Sequence, residues 1–265
     1  NGPTATASPL MAKHWAAISD HRLSLLDDQT LRWKLNNGMQ GIYNQIADGL
    51  AGHIRLNTVV KEVEYSEDGA AVVLEDGTRI ESDAVIVTAP VGALNTMEFS
   101  PVLPPEAQEL VDEGWNCTGL KIWIKLEGHH NLIAYAPTGS PLALIRSEYF
   151  LDDGTTVCVG FGPDHSALDL NDVDAVQEVV SQWRPDLKVV DCTGHDWVED
   201  PYAGQTWRSP KKGQFAKAWQ GFFADTDSRL YFAGSDWAKG WNSFVDGAIE
   251  TGLSVARQIE LDSAE

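Results

Sequence analysis

Leu230-Tyr-Phe-Ala-Gly-Ser-Asp236, followed by Trp241-Asn-Ser-Phe-Val-Asp-Gly-Ala-Ile-Glu-Thr-Gly252, is the stretch that decides how this chain folds. An apolar run that stops at Gly234 reads as a buried strand, and the glycine-bearing turn after it opens a helix. The first amides of that helix lack intrahelical acceptors and lie at the positive end of its dipole. Such a helix start favours an anion or a polarised ring edge, so this segment points at a ligand.

Working outward, 265 residues with 43% apolar content and ten Trp suffice for one large domain or two smaller ones. A net charge of -20 repels phosphate backbones and anionic membranes. A cationic partner fits better, although acidity also serves simply to keep a chain in solution. Cys117, Cys158 and Cys192 are odd in number and show no C-x-x-C spacing, which suggests neither a disulfide framework nor a zinc site. Asn116-Cys117-Thr118 matches a glycosylation sequon but leads into a strand-like run, so it is read as chance. No apolar stretch approaches the roughly 18 residues that span a bilayer, and no leader pattern is recognised. The expectation is a soluble protein of the reducing cytoplasm.

Residues 10–35 carry apolar side chains at helical spacing and predict one or two helices, and Ile42, Ile46 and Leu50 predict a third. Ile54–Leu56 and Val59–Tyr65 read as strand, and turns at Glu67-Asp68-Gly69 and Glu75-Asp76-Gly77 make a meander. Ala84-Val-Ile-Val87 has the look of a strand buried on both faces of a parallel sheet. Leu120–Leu126, Leu142–Ser147 and Thr156–Phe161 predict a second sheet, followed by a helix over 172–183 and strand from Leu187 toward Trp197. Gly160-Phe-Gly-Pro-Asp-His165 is a poor dinucleotide fingerprint and reads as a strand end. His129-His130 lacks metal-ligand spacing, and no Ser-His-Asp or Cys-His context is evident.

Phe-Ala-Gly-Ser-Asp, a Trp, then Asp-Gly-Ala-Ile-Glu-Thr-Gly resembles the carboxy-terminal FAD motif of the flavin-containing amine oxidases. The resemblance runs from Gly38, through Gly38-Met-Gln40, Ile54–Val60, Asp83–Pro90 and Phe99–Pro104, to Ile259. It implies a mixed α/β fold in which an incomplete FAD-binding Rossmann-like domain (36–110 and 200–265) interleaves with a mixed-sheet substrate-binding domain (1–35 and 111–199). The family's G-x-G-x-x-G cradle is absent from these residues, so a second polypeptide carrying that half is expected, in a hetero-oligomer.

By the same resemblance, Lys121 holds a water against flavin N5; a lysine on an apolar strand face is costly without such a purpose. Lys125 is the competing lysine, expected toward solvent. Trp207 and Phe244 become the walls of an aromatic cage that sandwiches a neutral amine. Val60 faces the adenine edge, Ala89 and Pro90 form a turn beside the cofactor, and Trp197 lies on the segment returning to it. Gly234 and Ser235 approach the pyrophosphate or ribityl chain, and Val245 offers its amide to the flavin C2 oxygen. Asp236 lies in the same motif; its carboxylate and that of Asp246 read as caps or solvent-facing groups. The activity implied is oxidation of an aromatic or heterocyclic amine to an imine, with hydrogen peroxide formed on reoxidation by oxygen. An amino-acid oxidase, with Arg146 or Arg208 for a carboxylate, a carbon-carbon desaturase and a non-catalytic scaffold are the alternatives.

Overall fold

The computed structural model describes residues 5–136, 139–215 and 228–262. Helices α1 (Pro9–Ile18), α2 (Leu23–Leu31) and α3 (Gly38–Gly49) come first. Strands β1 (Val60–Tyr65), β2 (Ala70–Leu74), β3 (Arg79–Ser82), β4 (Val85–Val87) and β5 (Glu98–Ser100) follow, then helix α4 (Pro105–Glu113). Next are β6 (Leu120–Glu127), β7 (Ile133–Tyr135), β8 (Leu144–Phe150), β9 (Thr155–Gly162), helix α5 (Val173–Ser181) and β10 (Val189–Gly194). β11 (Leu230–Phe232) and helix α6 (Val245–Asp262) close the described chain. Two compact units result, each built from three separated segments: 1–7, 89–95 and 109–214 in one, 8–88, 96–108 and 215–265 in the other. Residues 8–35 thus cluster with 36–88, and residues 200–214 with the strands from β6 to β10.

The lysine-bearing unit is organised by an antiparallel sheet of order β10-β6-β9-β8-β7. β6 alternates strictly: Leu120, Ile122, Ile124 and Leu126 are buried, while Lys121, Trp123 and Lys125 turn to the other face. Period-two alternation lets a strand bury one face only. The buried row packs with Val176, Val179 and Val180 of α5, whose spacing puts them on one helical stripe. Asp172 caps α5 by accepting hydrogen bonds from the Asp174 and Ala175 amides. β9 ends at Gly162, the strand end that the sequence predicts.

The second unit holds a four-stranded sheet of order β3-β2-β1-β5. The meander of β1, β2 and β3 is antiparallel, and β5 joins β1 in parallel. β4 and β11 form a separate parallel pair, Leu230 opposite Val85 and Phe232 opposite Val87. Here the structure departs from the sequence reading. Val87 and Phe232 are buried, but Ile86 between them is 44% exposed, because two strands cover only one face among the described residues. Ile54–Leu56 form no strand either, and both apolar side chains lie exposed. Helix α6 buries Gly247, Thr251 and Val255, one residue per turn.

Candidate functional site

In the first unit, Lys121 stands opposite Phe161 on β9, and Phe161 opposite Leu144 on β8. One step along the same face, Trp123 stands opposite Val159, and Val159 opposite Arg146. The Lys121 ammonium leans along the strand and lies 5.1 Å from the centre of the Trp123 ring. Trp207 packs against Phe161 with ring centres 6.0 Å apart and planes at 47°. Lys121 and Trp207, predicted from the sequence, are thereby brought to one aromatic surface with Phe161 between them.

Burial lowers the Lys121 pKa from its ordinary value, the neighbouring Glu148 charge works against that fall, and Arg146 adds to it. Glu148 sits where a register shift between Ser147 and Tyr149 interrupts the ladder, and its side chain is only 5% exposed. Its carboxylate accepts a 2.7 Å hydrogen bond from Arg146 Nε. Arg146 is therefore already neutralised. Lys125 shares the Lys121 face, yet its ammonium is held 2.8 Å from the Asp153 carboxylate, which it helps to lower to a pKa of about 2. Of the two lysines, Lys121 is the one set among rings. Such a lysine can hold a water molecule and can exchange a proton more readily than a surface ammonium.

The segment 195–207 enters this unit through close backbone contacts. Gly204 has φ +60°, and a Cβ there would lie 2.2 Å from the Gly92 carbonyl oxygen. Gln205, buried, accepts a 2.8 Å bond from the Gly92 amide and pins the approach to Trp207. Trp197 lies half exposed with its indole 4.4 Å from the His195 ring. Ala89 and Pro90 form the half-buried turn after β4, where the Pro90 carbonyl accepts from the Ala93 amide.

In the second unit, β11 runs out through Ala233 to Gly234, whose φ of +118° suits glycine alone and whose Cβ would crowd the Thr88 carbonyl at 3.3 Å. Thr251 of α6 binds both polar groups of that glycine, accepting from its amide at 2.9 Å and donating to its carbonyl at 3.1 Å. Ser235–Trp237 form a single 3-10 turn. Asp236 within it is buried, which rules out the solvent-facing half of the cap-or-solvent reading, because Trp237 and Ala238 carry the turn into the core. Asp246, in the first turn of α6, is exposed as expected.

Phe244 belongs to a three-ring cluster. Its ring lies 5.3 Å from Trp15 of α1 and 5.6 Å from Trp241, both edge-on. Ser243 before it has a left-handed φ of +67°, and its amide donates to Ser235. α6 starts immediately after, so the amides of Val245 and Asp246 fall in its first turn, where helical geometry supplies no acceptor. Val60 opens β1, half buried opposite Leu74. A glycine cradle at 234 and the start of an 18-residue helix fit the phosphates and ring edge of a dinucleotide flavin.

Several neighbours of these residues carry no sequence signature. Trp15 and His14 sit in a helix of mixed pattern, Phe161 in an ordinary alternating strand, and Glu148 in a bulge that no residue type announces. Only the register could reveal them.

Residues 5–260 match the family described as flavin containing amine oxidoreductase. The chain is 28% identical over 249 residues to pseudooxynicotine dehydrogenase of a Pseudomonas species, covering 92% of this chain and 50% of that protein. It is 29% identical over 242 residues to (S)-6-hydroxynicotine oxidase of Paenarthrobacter nicotinovorans, covering 91% of this chain and 55% of the relative. Its fold superposes on a putrescine oxidase triple mutant from a redesign of cofactor binding, with a TM-score of 0.83 and 19% identity over 98% of this chain and 61% of the other. The chain thus spans about half the length of the curated relatives it matches. With its mixed α/β architecture and a match across nearly all of its length, the chain belongs to the flavin-containing amine oxidoreductases, whose cofactor is FAD.

Proposed function

We propose that this chain forms the substrate-facing and flavin-ring-facing part of an FAD-dependent amine oxidase, and that a second polypeptide carrying G-x-G-x-x-G clasps the nucleotide tail. The observation that carries this reading is Lys121: half-buried, lowered in pKa, set beside Trp123 and opposite Phe161, on which Trp207 packs. When bound, the flavin supplies the acceptor for a hydride from the carbon next to the amine nitrogen. In the first unit, Trp207 would orient a neutral aromatic or heterocyclic amine and exclude water, in keeping with the pseudooxynicotine and hydroxynicotine named for two relatives. In the first unit Lys121 would hold a water for the flavin; in the second, the Val245 amide would steady negative charge on it, and Gly234 and Ser235 would leave room for its phosphates. The imine product is hydrolysed by water, and oxygen is the acceptor that yields hydrogen peroxide.

An amino-acid substrate is disfavoured, because Arg146 already spends its charge on Glu148 and Arg208 is buried with its guanidinium over the Trp115 ring. The need for further polypeptide is supported by exposed apolar residues in the second unit, Ile86 on β4 and Ile249 and Leu253 one turn apart on α6. The purified protein should be yellow, co-purify with a chain of roughly 150–200 residues bearing the dinucleotide fingerprint, and release ammonia or an amine on turnover. Lys121→Met should slow amine oxidation by about 100-fold or more while FAD stays bound. A colourless protein, or unchanged rates in that variant, would overturn the reading.

A further inference from the structure

Residues 238–244 form the turn that carries Trp241 and Phe244, and two elements hold it from different sides. From α1, His14 Nε2 lies 2.7 Å from the Gly240 carbonyl oxygen and 3.0 Å from the Asn242 side-chain nitrogen. From α6, the Glu250 carboxylate accepts from the amides of Lys239 and Gly240, at 3.1 and 3.3 Å. The Gly240 residue is thus gripped through its carbonyl by one helix and through its amide by another. Asn242, 1% exposed, has an Oδ1 without a hydrogen-bond partner. Turning that amide toward an Nε2–H proton shared with Gly240 gives the orphaned oxygen its donor. The His14 ring also packs 6.1 Å from Trp15 and 6.0 Å from Phe215, so its own orientation is set by aromatic neighbours.

We infer that His14 is a positioning residue that acts through the Gly240–Asn242 turn to fix Phe244 and the first amides of α6. The inference rests on the flavin reading above for its catalytic meaning, though the clamp itself does not. A ring that must stand at a set angle gains from a turn that cannot rock, and Ser243 in a left-handed conformation would relax without restraint. His14 serves through an Nε2–H donated to the Gly240 carbonyl, so a side-chain amide that reaches as far should replace it.

The experiment compares wild type, His14→Ala, His14→Gln and Glu250→Gln in the complete FAD-loaded protein. Hydrogen exchange at the amides of Asn242 and Phe244, bonded within the turn, and of Ser243, bonded to the Ser235 carbonyl, reports the clamp without any turnover. His14→Ala should speed exchange there about 10-fold or more and lower kcat at constant FAD content, and His14→Gln should restore both. Glu250→Gln, on an exposed side chain, should show the same local loosening and so tests the clamp if His14→Ala fails to accumulate. Unchanged exchange in His14→Ala and Glu250→Gln overturns the clamp. Faster exchange with unaltered kcat leaves the turn clamped but removes its catalytic purpose, which also overturns the inference. A colourless wild type would instead sink the flavin reading, with the exchange data unaffected.

Discussion

Gly247→Ala offers a quantitative test of how α6 meets the turn before it. In an ordinary exposed helix this change adds roughly 1 kcal/mol of stability, since alanine is the better helix former. Here the new Cβ would fall 2.2 Å from the Trp241 carbonyl oxygen and 2.5 Å from the Ala238 Cβ. Two backbone segments must part by more than an ångström, and the turn is held by His14 and Glu250, so it cannot yield freely. Overpacking of this kind costs about 1–3 kcal/mol, which cancels the propensity gain and leaves a net loss of up to about 2 kcal/mol. Gly252 supplies the control on the same helix: it has no heavy atom within 4 Å of an added Cβ, so Gly252→Ala should gain the full propensity term. The two variants should differ by about 1–3 kcal/mol, equivalent to about 2–12 °C in Tm at this size. Thermal unfolding of the full-length protein, followed by circular dichroism, measures the difference. If Gly247→Ala matches Gly252→Ala, the close approach of α6 to Trp241 is wrong, and with it the placement of the α6 amides.

Trp207→Ala should reduce amine turnover by about 100-fold or more, while costing only about 2 kcal/mol of stability because the indole is half-buried against Phe161; equal damage to both would mark plain packing, and paired kinetic and unfolding measurements decide. Lys121→Met should also change the pH dependence of folding. A lysine whose folded pKa lies below its unfolded one is penalised while both forms are charged, at and below neutral pH, and the penalty fades as pH rises through the folded value toward the ordinary 10.5. The variant should therefore be relatively more stable at pH 7 than at pH 10, and an advantage that grows with pH would contradict the burial of Lys121. Ile86→Lys should leave this chain folded but abolish retention of the nucleotide-clasping polypeptide in pull-down, and undiminished retention would place the contact elsewhere.

Local patterns made part of this fold legible. The alternation from Leu120 to Leu126 announces both β6 and its buried row, and Asp172 announces the start of α5. Leu230–Gly234 and the helix from Val245 could be read for the same reason, since strand, turn and helix signals are contiguous in sequence. Ile54–Leu56 misled because three apolar-alternating residues say nothing about whether a partner strand exists. Ile86 misled similarly: β-branched runs report what a strand could bury, and among the described residues this pair is covered on one face only. His14, Trp15 and Glu148 were invisible for a different reason. Their partners are set by tertiary register and by a bulge, neither of which leaves a periodic trace.

The pairing of β4 with β11 joins Val85 to Leu230, a separation of 230 − 85 = 145 residues. Entropy charges for closing so long an excursion only logarithmically, but the search must come before any reward from the contact. During synthesis, β4 must therefore wait for β11, its partner among the described residues, until almost the whole intervening unit has emerged. Chaperone dependence in the nascent chain, and loss of the second unit on any premature stop before residue 230, follow from that topology.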